Sequence, residues 1–241
     1  MIETWPVIGV TLRGLLGRRR TVLLVLLAGL PVAVGLLIRL TGSSPEAAPI
    51  LDTLVVRTVM PLVALVFGTA ALGSEIEDGT AVFLIIKPIP RWRILLAKMS
   101  VAALLTVALV MPSTVLTGIL AGGLGSSSLA TAFGFALAAS VGGIAYAGAF
   151  VALSAFTSRA LLLGLGYTLI WEGVLAGLLE GTRFLSIRQA TLGVAAALGD
   201  VDPGLPPLDL GTSIVILVVV VGGSLLLGSL RLARFEVRGG D

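Results

Sequence analysis

The chain has 241 residues, of which 57% are hydrophobic and only 12% are charged. A soluble domain is about half apolar and about a quarter charged, so this chain has too little polar surface to cover a water-soluble globule. The absence of cysteine and histidine excludes disulfides, haem ligands, cysteine nucleophiles, histidine general bases and zinc sites built from these residues. The composition therefore predicts an integral membrane protein.

Six apolar segments are long enough to cross a bilayer, which requires about 20 mostly apolar residues in a helix. Three of them contain a proline, Pro31, Pro61 or Pro112, which we expect to kink the helix. We therefore predict an all-α integral membrane protein with a single transmembrane domain over residues 1–241. Its six transmembrane helices are predicted at about residues 21–40, 54–72, 94–120, 129–155, 161–179 and 208–230.

The distribution of lysine and arginine predicts the orientation of these helices. An N-terminus on the cytoplasmic side places 12 of the 16 lysine and arginine residues on that side, and short cytoplasmic loops are enriched in these residues. An even number of spans then puts both termini in the cytoplasm. The net charge of +3 follows from this topology. We expect no nucleic-acid binding, because that requires a basic stripe on a soluble module.

Residues 2–17 are predicted to form an amphipathic helix in the cytoplasmic interface of the membrane, which either anchors the first span or contacts a partner protein. The apolar run after it is longer than the apolar region of a signal peptide and has no nearby cleavage site, which favours an uncleaved first span. Apolar residues recur in the helix at helical spacing; they are Ile2, Trp5, Ile8, Leu12, Leu15 and Leu16.

The loop between the second and third spans carries an acidic cluster followed by a short apolar run. Glu75 and Glu77 cannot lie in hydrocarbon, and Gly79 allows the chain to turn sharply. The apolar residues at 81–86, which include Phe83, are too few to span the membrane. They must therefore lie in the interface or bind in a groove on another protein.

This loop ends in prolines and basic residues. Pro88 and Pro90 stop any helix that precedes them. Arg91 and Arg93 are expected to reach the phosphates of lipid headgroups, and Lys98 is expected to extend along the third span toward the same surface.

Glu172 is an ionisable residue inside the fifth predicted span, next to Trp171. An ionisable residue at such a place marks a functional site by default. It either lines a substrate path or forms an ion pair near the outer leaflet with Arg57 or Arg183. A Gly-x-x-x-Gly step in the same span would allow two helices to approach closely in a dimer; it consists of Gly173 and Gly177.

The outer segment at 180–207 is long for a loop between two spans. Residues 184–198 have a helical composition that is interrupted by Arg188 and Gln189. We predict an extracellular helical hairpin, re-entrant or interfacial, between spans five and six. The prolines at 203, 206 and 207 then form a turn before the last span.

Taken together, these features resemble the permease subunits of ABC-2 type exporters. That family has an interfacial N-terminal helix, six spans with both ends inside, and an outer helical hairpin between spans five and six. It also shares a Glu-x-Glu-x-Gly-Thr pattern, an apolar stretch, a proline, a basic residue and a later Gly-Lys between spans two and three. In this sequence Ala97 replaces the glycine before the lysine, and Ile76 occupies a place that is often basic in the family. The matching residues here are Glu75, Glu77, Gly79, Thr80, Pro88, Arg91 and Lys98.

The resemblance implies a function and partners. Residues 76–86, with Phe83, would be a cytoplasmic coupling helix that binds a separate ABC ATPase subunit, which would carry the ATP and magnesium. A second permease chain, identical or related, would complete a path lined by spans one, two and five in a bacterial plasma membrane. The mostly apolar spans favour export of an amphipathic or hydrophobic compound, such as a drug, an antibiotic or a lipid-like molecule.

The chain has no nucleotide site of its own, because neither lysine follows a glycine as a P-loop requires. It is therefore not expected to be an enzyme or to bind a cofactor or metal. A membrane enzyme and a non-transporting scaffold are the alternatives. Residues 78–81 superficially resemble the start of the CDP-alcohol phosphotransferase signature, whose metal chemistry needs several facing carboxylates. Here Val82 replaces the expected arginine, and no acidic residue occurs between Asp78 and Glu172.

Overall fold

The computed structural model of the chain describes residues 9, 11–12, 14–15, 17–42, 46–77, 90–176, 180–199 and 207–233. The regular secondary structure of these residues is helical throughout. In chain order the elements are α1 (Arg18–Leu40), α2 (Ala47–Ile50), π1 (Leu51–Val59), α3 (Met60–Glu77), α4 (Arg91–Gly122), α5 (Ser126–Phe156), α6 (Ala160–Gly166), π2 (Tyr167–Leu175), a 3-10 helix (Glu180–Leu185), α7 (Ile187–Gly199) and α8 (Leu210–Ala233).

Five helices of the described chain are long and apolar enough to cross a membrane, which confirms a helical, multi-pass membrane protein. The fifth predicted span, at 161–179, corresponds to a shorter apolar helix, and residues 177–179 lie outside the described residues. Six spans therefore stay a prediction. The five long helices are Arg20–Leu40, Ala47–Gly73, Arg91–Gly122, Ser126–Phe156 and Leu210–Leu232, and the shorter one is Ala160–Leu175.

Two segments of nine residues each, π1 and π2, wind as π-helices. The N–H of Met60, at the end of π1, donates to the carbonyl of Val55, five residues earlier. Pro61 follows directly and has no N–H to donate, so an α-helical hydrogen bond is lost at this point and wider winding becomes favourable. Pro31 and Pro112, in contrast, lie inside continuous α-helices. Long π-helical segments are rare and often occur at functional sites.

The central helix of the fold is α5, which packs against α3, α4, α7 and α8. Alanine and glycine form most of its buried face, so its neighbours approach closely. A Cβ atom on Gly134 would lie 2.7 Å from the backbone of Gly199, at the end of α7. The crossing of α5 and α7 therefore requires glycine at this position. Helices α1 and α8 lie at the periphery and expose many leucine and valine side chains.

The outer segment contains the 3-10 helix and α7, with all residues from Ile187 to Ala195 buried. Helix α7 packs against α5 and α8, so it inserts among the long helices. The predicted turn before the last span falls mostly at 200–206, outside the described residues, and the hairpin stays a prediction. Helix α8 begins after Asp209, whose carboxylate accepts the Thr212 N–H at 2.9 Å. Hydrogen bonds from the side chain and the backbone of Thr212 lower the pKa of Asp209.

The predicted interfacial helix at 2–17 is described only in part. Residues 9, 11, 12, 14 and 15 are helical, and residues 2–8 lie outside the described residues. Leu15 is buried, with 2% of its surface exposed, and belongs to the apolar core. The stripe that the sequence indicates therefore contacts the helix bundle at least at Leu15.

Candidate functional site

The carboxylate of Glu172 is the centre of a buried hydrogen-bond cluster. Glu172 lies in π2 and is 3% exposed. One carboxylate oxygen accepts the hydroxyl of Tyr167 at 2.8 Å and the N–H of Ile187 at 2.9 Å, and the other accepts the hydroxyl of Ser186. These donors are neutral, so the carboxylate is satisfied by hydrogen bonds rather than by the guanidinium of Arg57.

Glu172 caps the N-terminus of α7. Ile187 is the first residue of this helix, and its N–H has no partner within the helix itself. The hydroxyl of Ser186 also accepts the N–H of Gln189 at 3.0 Å, which is the hydrogen bond of an N-cap residue. A negative charge is favoured at this end of a helix by the exposed N–H groups. The sequence Ser186-x-x-Gln189 therefore begins α7, and Glu172 from another helix completes the cap.

A second carboxylate holds the same turn of α7. Asp52, in π1, forms an ion pair with Arg188, whose Nη2 lies 2.9 Å and 3.0 Å from the two carboxylate oxygens. The side chains of Arg188 and Asp52 are 5% and 18% exposed. Both π-helices therefore supply an acidic residue to the first turn of α7.

The two π-helices also contact each other. The guanidinium of Arg57, in π1, donates to the carbonyl of Gly173, in π2, at 3.1 Å. Trp171 makes a long contact of 3.4 Å from its indole N–H to the carbonyl of Leu185. The fold thus brings together, around π2, three residues that the sequence indicated: Arg57, Trp171 and Glu172. The sequence analysis missed Asp52 and Ser186 as parts of this site.

Several polar atoms at this site are buried and have no hydrogen-bond partner among the described residues. They are the hydroxyl of Tyr146, Nε of Arg188 and Nε2 of Gln189. Tyr146 lies on α5 and its ring stacks on Phe150, with centroids 5.8 Å apart. Buried polar atoms without partners cost free energy, so such atoms are available to bind water or the polar part of a ligand.

The Gly-x-x-x-Gly step of the fifth predicted span is half described. Gly173 lies in π2, where its carbonyl accepts the Arg57 side chain. Gly177 lies outside the described residues. A contact between two chains at this step stays a prediction.

The candidate ATPase-binding residues lie at and beyond the C-terminal end of α3. This helix ends at Glu77 and therefore includes Glu75 in its last turns. Arg91 is the first residue of α4, after Pro90 as its N-cap, and the neighbouring Arg93 lies over the ring of Trp92 at 5.3 Å. The remaining candidates fall outside the described residues; they are Gly79, Thr80, Phe83 and Pro88.

The prediction for Lys98 is wrong. Lys98 is 0% exposed and does not extend to the membrane surface. Its ammonium group donates to the carbonyl of Ala71, in α3, at 2.6 Å. The side chain therefore crosses from α4 to α3 inside the bundle, because a carbonyl acceptor is available there at hydrogen-bond distance.

The comparison with known families agrees with this architecture. Residues 21–236 match the model of the ABC-2 family transporter proteins, and this match reaches all five long helices. The chain belongs to this family. This match confirms the resemblance to the ABC-2 permeases. Because these permeases lack nucleotide-binding domains, an ATPase partner is implied for this ABC-2 protein. No curated protein matches the chain.

Proposed function

We propose that this ABC-2 protein is the permease subunit of an ATP-driven exporter, which moves an amphipathic or hydrophobic compound out of a bacterial cell. The family match over 21–236 carries the proposal. The sequence contains no P-loop, so a separate ATPase subunit would hydrolyse the ATP, with its magnesium. A second permease chain, identical or related, would complete the path, and both termini would lie in the cytoplasm.

The ATPase would bind at residues 76–86. Two long helices, α3 and α4, flank this segment and pack against each other. Rigid helices transmit a displacement of the segment between them into the membrane. Within this surface, Glu75, Glu77 and Arg91 would form polar contacts and Phe83 an apolar one, while Gly79, Thr80 and Pro88 would shape the turn.

The transport path would pass the polar cluster at Glu172, with Trp171 and Arg57 beside it. Charged side chains inside a membrane are costly and often mark a transport path. Three observations support this location: the carboxylate is buried, two π-helices meet at it, and polar atoms of Tyr146, Arg188 and Gln189 have no partner among the described residues. An amphipathic compound could use these polar atoms while its apolar part contacts the surrounding helices.

Purification of the tagged chain from its native membranes in a mild detergent tests the proposal. We expect an ATPase with a P-loop to co-purify and the eluate to hydrolyse ATP in a vanadate-sensitive manner. A preparation without ATPase activity, under conditions that preserve another ABC transporter complex from the same membranes, would contradict the proposal. A membrane scaffold or enzyme would then be the better interpretation.

A further inference from the structure

Lys98 connects the two helices that flank the candidate coupling segment. Its ammonium group lies 2.6 Å from the carbonyl of Ala71. Ala71 precedes the end of α3 at Glu77 by six residues, and Lys98 follows the start of α4 at Arg91 by seven. At a rise of 1.5 Å per residue, this connection lies about 10 Å from both helix ends.

The surroundings of Lys98 make this connection strong. Lys98 is fully buried, and Leu95, Met99 and Ala102 on the same helix are buried as well. A buried cation requires acceptors, and the cost of losing them is high. Moving α4 along α3 by one turn would withdraw Lys98 from the carbonyl of Ala71. The hydrogen bond therefore opposes sliding between the two helices.

Three threonine side chains of α4 differ from Lys98 in the acceptor that they use. The hydroxyl groups of Thr106, Thr114 and Thr117 donate to carbonyls four residues earlier in their own helix. Such bonds satisfy the side chain without joining two helices. Thr106 is also 0% exposed, so it offers a matched comparison for Lys98.

We propose that Lys98 is a positioning residue for energy coupling: it joins α3 and α4 so that a displacement of residues 78–89 moves both helices as one body. This inference rests on the proposed function, in which an ATPase displaces that segment. Without the connection, the ATPase still binds and hydrolyses ATP. The displacement of residues 78–89 then makes α3 and α4 slide past each other and does not reach the outer side.

The test uses Lys98→Met and Lys98→Gln in the full complex with its co-purified ATPase. The chain has no cysteine, so Leu198→Cys, at an exposed position of α7, gives one site for a fluorescent maleimide. The complex is trapped with ATP and vanadate, and the rate at which the maleimide labels the cysteine is compared before and after trapping. A change in this rate reports movement at α7. Methionine is similar to lysine in length and volume, and substitutions that conserve volume are tolerated best in a packed core, so Lys98→Met should fold and assemble.

We expect both Lys98 variants to bind the ATPase and the complex to hydrolyse ATP as before. The ATP-dependent change in labelling rate should fall about tenfold, because this corresponds to the free energy of one hydrogen bond to a buried charge. Thr106→Val should behave like the unsubstituted chain. A full labelling change in the Lys98 variants would overturn the inference, as would an equal loss in Thr106→Val. Unsubstituted protein that binds no ATPase, or shows no ATP-dependent change, would instead contradict the proposed function itself.

Discussion

At the scale of single residues, Glu172 illustrates how a charge is accommodated inside this fold. Its oxygens accept three hydrogen bonds, and two of the donors belong to the start of α7. The carboxylate thus replaces the previous turn that α7 lacks at its N-terminus. These hydrogen bonds offset the free-energy cost of burying the charge. They also join the start of α7 to π2.

Replacement of Glu172 by leucine should destabilise the protein. The N–H of Ile187 and the hydroxyl of Ser186 would then be buried without an acceptor, at about 1–3 kcal/mol for each group. Glu172→Gln should lose less stability, because the amide oxygen of glutamine still accepts a hydrogen bond. Thermal unfolding of the detergent-solubilised protein measures the difference. Ile170→Val, at an exposed position of the same π-helix, serves as the control, and equal stability of Glu172→Leu and this control would contradict the role of Glu172.

The ion pair between Asp52 and Arg188 leads to a second prediction. Arg188→Met leaves the Asp52 carboxylate without its partner, which should cost about 3 kcal/mol for a pair with this little exposure. Adding Asp52→Asn removes the orphaned charge and should recover part of the loss. A double-mutant cycle of unfolding free energies measures the coupling. Additive effects of the two substitutions would show that the pair contributes nothing.

At the scale of the elements, close packing of α5 and α7 depends on glycine. The nearest backbone atoms of Gly199 leave no room for a side chain at Gly134. Gly134 lies inside α5, and Gly199 is the last residue of α7. The close approach of the two helices at this point therefore depends on the absence of a methyl group at Gly134.

We expect Gly134→Ala to displace α7 and to lower the thermal stability of the detergent-solubilised protein by an amount typical of overpacking, about 1–3 kcal/mol. Gly222→Ala, in α8, is the matched control, because a Cβ atom there would meet nothing within 4 Å. The control should be neutral or slightly stabilising, since alanine favours helix more than glycine does. Similar stabilities of the two variants would contradict the close crossing of α5 and α7.

The sequence predicts the long helices well, because apolar length alone requires them to lie in the membrane. It does not predict π1 and π2, since hydrogen bonds to a residue five positions earlier leave no distinct pattern of residue types. Asp52 and Arg188 are 136 positions apart, and only the fold shows that they meet. The start of α7 had a readable signal in Ser186-x-x-Gln189, which is the spacing of a capping box.

At the scale of the whole molecule, the second long helix, Ala47–Gly73, joins the two candidate sites. Its 27 residues correspond to a length of about 40 Å. Near one end π1 supplies Asp52 and Arg57 to the outer polar cluster. Near the other end Ala71 accepts the hydrogen bond of Lys98, before the candidate coupling segment begins. A displacement at the C-terminal end of this helix therefore has a continuous helical route to the polar cluster at Glu172.

This arrangement makes the candidate ATPase-binding surface at residues 76–86 the point where the proposed mechanism can be interrupted without damage to the fold. Glu77→Lys reverses a charge in the last turn of α3, and Phe83→Asp places a charge in the apolar run. Residues 78–89 connect α3 and α4, two helices that pack against each other. Both variants should therefore insert normally and elute as folded protein, but lose the co-purified ATPase, because unmatched charges in an interface cost several kcal/mol.

The control for this experiment lies at the opposite end of the same helix. Glu46→Lys makes the same charge reversal at an exposed N-cap position of α2, far from residues 76–86. It should retain the ATPase at the level of the unsubstituted chain. The measurement is the ATPase-to-permease ratio in each pulldown, with size-exclusion profiles to verify folding. Full retention of the ATPase by Glu77→Lys and Phe83→Asp would place the binding surface elsewhere. Loss in all three variants would show a general effect of charge, because Glu46 is separated from the coupling segment by the length of the helix.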